Sequence, residues 1–459
     1  MIRAVRAAAV ALFTAVSAGY VFGGFDVSAQ TSDRTDEVRQ AMIGGTAHSI
    51  ILFIGDGMGD SEMTLARNYA LGARGRLALD SLPLTGAYTT FSVQEKDPSL
   101  PDYVPDSAAT GTAWATGSKT SNGRISTSAG DDRDLPTILE FAQQQGLRTG
   151  DVTTAELTDA TPAVLTAHVA SRTCQGPMDM KDCPQDRKST GGPGSIAEQA
   201  IDHHVDVLMG GGYARFDQPT DRGPLVLQHA IANGYRIVTA AAGLEYIAPG
   251  QRVLGLFAPG NMTTEWTGQE AIPYPSNVRS PQICKQDQRP ANEPSLSEMT
   301  TKALSLLGGV DGRSRFFLQV EGASIDKQDH AGNPCAQIGE TVAFDRAVAV
   351  GLEYARTHTD TLVIVTADHA HASQIVPLPT DADHPSGLLS ALVTADRATM
   401  TVAYGTNGYH RSQDHTGTQV RIAARGPQAA NVVGVIDQTD LFQLMRRAIG
   451  DAPAAAQGR

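Results

Sequence analysis

The sequence predicts an α/β fold: a doubly wound, mainly parallel central sheet flanked by helices, with a small crown-like excursion. Three observations carry this. Six short apolar runs rich in β-branched residues fall at 49–54, 148–153, 205–209, 235–239, 316–320 and 361–366. They lack the in-out alternation of half-exposed strands, which marks strands covered on both faces of a parallel sheet. Helical patterns at 136–145, 196–203 and 338–356 lie between them and complete βαβ units. Finally, 459 residues with 41% hydrophobic and 19% charged content can build one large core.

Taken in order, the chain opens with an export signal. Arg3 and Arg6 precede an apolar stretch from Ala7 to Phe22, and Val27-Ser28-Ala29 offers a small-x-small cleavage site. Gly19, Gly23, Gly24 and Asp26 interrupt the run too early for a retained membrane anchor. A signal peptide over 1–29 implies a periplasmic or secreted protein with no stable membrane insertion. Residues 30–47 are polar and read as an N-terminal arm, 48–450 as the globular domain and 451–459 as a flexible tail. Four cysteines allow three connectivities, and sequence alone does not choose among them. In an oxidising compartment the expected pairs are Cys174–Cys183 and Cys284–Cys335. No pair has the two-residue spacing of a thiolate zinc site. Residues 172–195 read as a surface loop held by one disulfide, and 250–300 show no clear periodicity. Residues 376–412, rich in Pro, Thr, Ala and Gly, read as a surface excursion. The net charge of −13 argues against a nucleic-acid partner bound through a basic surface.

The chemistry collects where the apolar runs end, which is where open α/β sheets bind ligands. Gly55-Asp56-Gly57-Met58-Gly59-Asp60 follows the first run. Glu321 to His330, with Asp326 and His330 four apart, follows another, and Asp368-His369-Ala370-His371 a third. One acidic residue after a strand is ordinarily a helix cap or turn former. Three strands delivering carboxylates and imidazoles to one edge make a ligand set for divalent cations instead. Asp106-Ser107 opens a run of small residues that reads as a helix start, where N–H groups and the helix dipole favour an anion. A serine beside a divalent cation needs no histidine base. Asp159 and Thr161 follow a further strand, and Arg172 is placed to clamp a phosphate. Asp202-His203-His204-x-Asp206 looks metal-like but straddles a helix end and reads as a solvated turn. Gly210-Gly211-Gly212 lacks the Lys and Ser/Thr of a phosphate loop, and His168, His229 and His358 have no local partners.

These stretches closely resemble the bacterial periplasmic alkaline phosphatase family. The matching segments are IGDGMGDSE from Ile54 to Glu62, PDSAA from Pro105 to Ala109, WATG from Trp114 to Gly117 and TAELTDATP from Thr154 to Pro162. VEGASIDKQDH from Val320 to His330, TADHAH from Thr366 to His371 and DHTG from Asp414 to Gly417 continue in family order. Carried over motif by motif, the resemblance implies two zinc ions and one magnesium ion per chain. Asp326, His330 and His415 match the first zinc site; Asp56, Asp368 and His369 match the second. Asp56 also reaches the magnesium site with Asp159, Thr161 and Glu321. Ser107 matches the nucleophile and Arg172 the phosphate-binding arginine. Asp106, Lys327 and His371 stand behind these groups, His371 beside the second zinc motif. Lys327 and Asp159 occupy positions where relatives carry His, which favours magnesium.

The resemblance implies hydrolysis of phosphate monoesters through a phosphoserine, phosphate scavenging and a homodimer. The competing expectations are a superfamily relative acting on diesters or sulfates, and a secreted metal- or phosphate-binding protein without catalysis.

Overall fold

Strands that lie between two helix layers have no solvent face, so they must be apolar throughout, and the central strands here show that burial. The computed structural model describes residues 33–451 apart from 222, 276–277 and 381–386. The expected signal peptide at 1–29 and the tail at 452–459 lie outside the described residues. Ten strands form the main sheet: β1 (Ser49–Gly55), β2 (Leu84–Thr89), β3 (Arg148–Glu156), β4 (Val207–Gly211), β5 (Tyr235–Val238), β6 (Arg252–Leu256), β7 (Phe316–Gly322), β8 (Thr361–Ala367), β9 (Val420–Arg425) and β10 (Gly434–Asp437). Their order is β10-β2-β9-β8-β1-β7-β3-β4-β6-β5. Every residue of β1, β7 and β8 is buried. All pairings are parallel except those of β9, which runs against both β8 and β2.

The helices fall into two groups. Those used below are α1 (Thr35–Ala41), α2 (Asp60–Leu71), α3 (Ser107–Thr116), α4 (Ile138–Gln144), α5 (Ala160–Thr166), α6 (Ile196–Asp202), α7 (Leu296–Leu307), α8 (Ser324–His330), α9 (Pro334–Thr357) and α10 (Gln438–Ile449). α9 packs on α7 and α2, while α3, α4, α5, α6 and α10 pack among themselves. The arrangement is doubly wound, as the sequence indicates. Expected strands and helices appear with ends shifted by a few residues.

The differences lie at the edges. Residues 250–300, without readable periodicity, contain β6 and the strand Ile272–Pro273. The excursion is not an irregular loop. Ser373–Val376, Leu388–Val393 and Thr399–Tyr404 join Ile272–Pro273 in a second, four-stranded antiparallel sheet. Residues 172–195 contain three short 3₁₀ turns. Disulfides join Cys174 to Cys183 and Cys284 to Cys335, as expected. No helix among the described residues is long and apolar enough to cross a membrane.

Candidate active site

The site begins with three adjacent strands, β8, β1 and β7, because parallel neighbours end together. Asp368, Asp56 and Glu321 stand at or just beyond their carboxyl ends. Gly57 turns the chain after β1 with φ +67°, and its N–H donates to Asp368 Oδ1 at 2.8 Å. A Cβ there would lie 3.0 Å from the Asp326 backbone, so the turn has room only for glycine.

Ser107 is the first residue of α3 and only 2% exposed. Asp106 caps that helix by accepting from Ala109 N–H at 3.0 Å. Ser107 Oγ donates to Asp56 Oδ1 at 3.4 Å and lies 3.3 Å from His369 Nε2. His369 Nε2 is also 3.4 Å from Asp56 Oδ1 and 3.2 Å from Asp368 Oδ2. Beside it, His330 Nε2 and His415 Nε2 approach Asp326 Oδ1 at 3.4 and 3.2 Å and each other at 3.1 Å.

Hydrogen bonds at the far ring nitrogens fix what these imidazoles offer. Nδ1 of His330, His415 and His369 faces the carbonyls of Gln413, Pro105 and Ala370. A carbonyl only accepts, so each Nδ1 carries the proton and each Nε2 presents a lone pair to the site. Lone pairs facing carboxylate oxygens and one another repel unless a positive charge lies between them, and beside Asp326 the His415 ring is raised to about 9 despite its burial, so the set attracts a proton or a cation. Asp326 Oδ1 is buried without a hydrogen-bond partner. Asp326, His330, His371 and His415 form one convergent set, and Asp56, Asp326 and His369 another. Both fit a borderline cation such as zinc.

His371, expected behind the ligands, stands nearest Asp326. Its Nε2 is 3.3 Å from Asp326 Oδ1, the carboxylate shared by both sets. Its Nδ1 accepts from Ala372 N–H at 2.8 Å, so Nε2 holds the proton, close to Asp326 Oδ1 but without a hydrogen-bond partner.

An oxygen-rich pocket adjoins. Glu321 Oε2 accepts from Thr153 Oγ1, its register partner across β7 and β3, and Thr161 Oγ1 is buried with no partner. Such donors suit magnesium. Asp159 has both oxygens engaged, Oδ2 by Lys327 Nζ at 2.6 Å and Oδ1 by Arg172 at 2.8 Å. Arg172 also donates to Asp106 Oδ2 at 3.1 Å. It therefore bridges the caps of α3 and α5 and is held at the start of the Ser107 helix. Thr153 and the three carbonyls went unread in the sequence, because only strand register and tertiary approach bring them here.

Electrostatics express the crowding. Burial, then repulsion from Asp368, Asp326 and Glu321, pushes Asp56 well above the usual carboxylate range. Burial raises Glu321 to about 7 and Asp368 to about 6. Burial opposes ionisation of Asp326 too, but His371 and His415 outweigh it and hold the group well below its usual value. Burial likewise opposes charge on Asp159, and Lys327 and Arg172 more than offset it. A site with this much buried negative charge is built around cations.

Comparison with known proteins agrees. The family model described as alkaline phosphatase matches residues 47–411 and 406–450. Streptomycin-6-phosphate phosphatase of Streptomyces griseus is 52% identical over 416 residues, covering 88% of this chain and 91% of its own. Alkaline phosphatase of Escherichia coli strain K12 is 51% identical over 431 residues, covering 92% of this chain and 90% of its own. Among solved structures, alkaline phosphatase from the Antarctic bacterium TAB5 matches with a TM-score of 0.68 at 24% identity, over 89% of this chain and 100% of that one. That structural likeness speaks to the fold, and the relatives near half identity speak to the family. On strand-end ligands, fold and relatives together, the chain belongs to the alkaline phosphatase family.

Proposed function

We propose that the protein hydrolyses phosphate monoesters by transferring the phosphoryl group to Ser107 and then to water. The observation that carries this is Ser107 Oγ at the start of α3, 3.4 Å from Asp56 Oδ1 and 3.3 Å from His369 Nε2. Asp326, His330 and His415 would hold one zinc, Asp56, Asp368 and His369 a second, and Asp56, Glu321, Thr161 and Asp159 a magnesium. Bound there, such ions stabilise negative charge on the serine, leaving-group and water oxygens.

The chain's own residues supply the rest. The Ser107 Oγ–P bond forms as the ester P–O bond breaks, and the alcohol leaves carrying one proton. Water then forms a P–O bond as Oγ–P breaks, returning the serine and releasing inorganic phosphate. Arg172 and the first N–H groups of α3 face the phosphoryl oxygens and stabilise their charge. Asp106 and Asp159 fix the guanidinium. His371 lies with Nε2 3.3 Å from Asp326 Oδ1 and offsets its charge, and Lys327 neutralises Asp159. Export through residues 1–29, a phosphate-scavenging role and a homodimer complete the reading, and they rest on the sequence signal and the resemblance.

The test is phosphate release from an aryl monoester, a diester and an aryl sulfate, run in parallel with chelation and zinc and magnesium add-back. Monoester turnover that is lost on chelation, restored by the ions and abolished in Ser107→Ala supports the reading. Preference for the diester or sulfate would move the chain to a sister chemistry. Bound metals with no turnover would make it a binding protein. Full turnover by Ser107→Ala would overturn the covalent step.

A further inference from the structure

His203 lies in the turn after α6, as the sequence indicates, but unlike Asp202 and His204 beside it, it is not exposed. It ends α6 half-buried, with Nδ1 3.9 Å from Glu140 Oε1. His168, unassigned in the sequence, brings Nε2 to 3.6 Å from the same oxygen. All three donor atoms lie within 4.8 Å of one another. They come from α4, the segment after α5 and the end of α6, so only the fold assembles them.

Three details separate this cluster from an ordinary ion pair. The approaches of 3.6 and 3.9 Å exceed hydrogen-bond reach, so the groups converge without touching. In a tetrahedral zinc site with bonds of about 2.0–2.1 Å, neighbouring ligand atoms stand about 3.3 Å apart, so the spacing is close to that of a ligand set. Glu140 Oε2 is already used, accepting Thr137 N–H at 2.7 Å in the capping box of α4, which fixes the carboxylate and leaves Oε1 aimed at the imidazoles. His168 Nδ1 donates to Ser126 O at 3.0 Å, leaving the Nε2 lone pair inward. This is the arrangement of the three active-site histidines. The nearby Asp134 and Asp202 add negative charge around the cluster.

We infer that Glu140, His168 and His203 form a second metal centre, separate from the active site, that takes one zinc-like divalent cation with water in the remaining position. Its ligands tie α4 and α6 to the segment leading to Arg172, which is itself joined to the 123–126 segment by Arg172 N–H to Gly123 O and by pairing of Val169 with Ile125. The site is structural: it clamps three elements and leaves the chemistry to Ser107.

The test is zinc counting by mass spectrometry on holoenzyme dialysed against a zinc buffer, for wild type, His203→Ala and Glu140→Gln. Glutamine keeps the acceptor for Thr137 N–H, and His203 is partly exposed, so both variants should fold. Wild type is expected to hold one more zinc per chain than either variant. Added zinc should raise its melting temperature further than theirs, with monoester turnover equal in all three. The difference between wild type and variants does not depend on how the active site loads. Equal zinc content and equal zinc-dependent melting shifts would overturn the inference and leave a plain His–Glu contact.

Discussion

A single proton decides what each histidine here can do. Where Nδ1–H meets a backbone carbonyl, as in His330, His369 and His415, Nε2 is the nitrogen left able to offer a lone pair; where Nδ1 accepts, as in His371, Nε2 carries the proton. Arg172 depends on geometry in the same way, since its two nitrogens reach Asp106 and Asp159 separately. A lysine keeps the charge and loses the fork. Arg172→Lys should lower kcat/KM by about 10- to 100-fold, carried mainly by KM. Steady-state kinetics check this, and an unchanged kcat/KM would mean the guanidinium does not reach the phosphoryl group. Glu340, buried on α9, accepts Glu265 N–H at 2.7 Å, and burial raises it to about 8 despite that bond. A glutamate free in the unfolded chain titrates near ~4.3. The folded form therefore holds its proton more tightly, so the stability is present below that value and is lost as pH rises towards 8. Glu340→Gln should flatten the fall in melting temperature between pH 5.5 and 8; parallel curves for the two proteins would contradict it.

Among the elements, α3 shows how composition sets position. All ten of its residues are buried, and most are small, which lets it lie against α5. Gly111 meets Val164 there: a Cβ would stand 2.8 Å from its Cγ1. Gly111→Val should cost about 1–3 kcal/mol by overpacking. It should also lower turnover, because Ser107 and the Asp106 cap ride on the same helix. Denaturation and kinetics on one preparation test both, and loss of neither would show that α3 and α5 can part freely. Helices and central strands were legible because a continuous apolar run or a capped, periodic stretch is a local signal. β9 and the second sheet were not, since the antiparallel insertion of β9 between β8 and β2 and the union of Ile272–Pro273 with Leu388–Val393 are decided by partners far away along the chain.

Across the whole molecule, two cross-links act on different scales. Cys174–Cys183 closes nine residues and Cys284–Cys335 closes 51. If chain entropy dominates, these are worth about 3 and about 4 kcal/mol. Replacing Cys284 and Cys335 by Ser should therefore lower the denaturation midpoint more than replacing Cys174 and Cys183. The opposite order would mean that packing of the 172–195 loop in the folded state outweighs the entropy of the unfolded chain.

The α/β class, the order in which the central strands deliver their ligands and the identity of every active-site side chain proposed can all be read along the chain. These are properties of short segments: apolar runs, caps, and carboxylates or imidazoles immediately after a strand. That His371 serves Asp326, that Thr153 supports Glu321, and that His168 and His203 converge on Glu140 are visible only in the folded molecule. Each depends on where a ring or a strand register falls in space. Residues far apart along the chain carry no record of one another until the sheet brings them within a few ångströms.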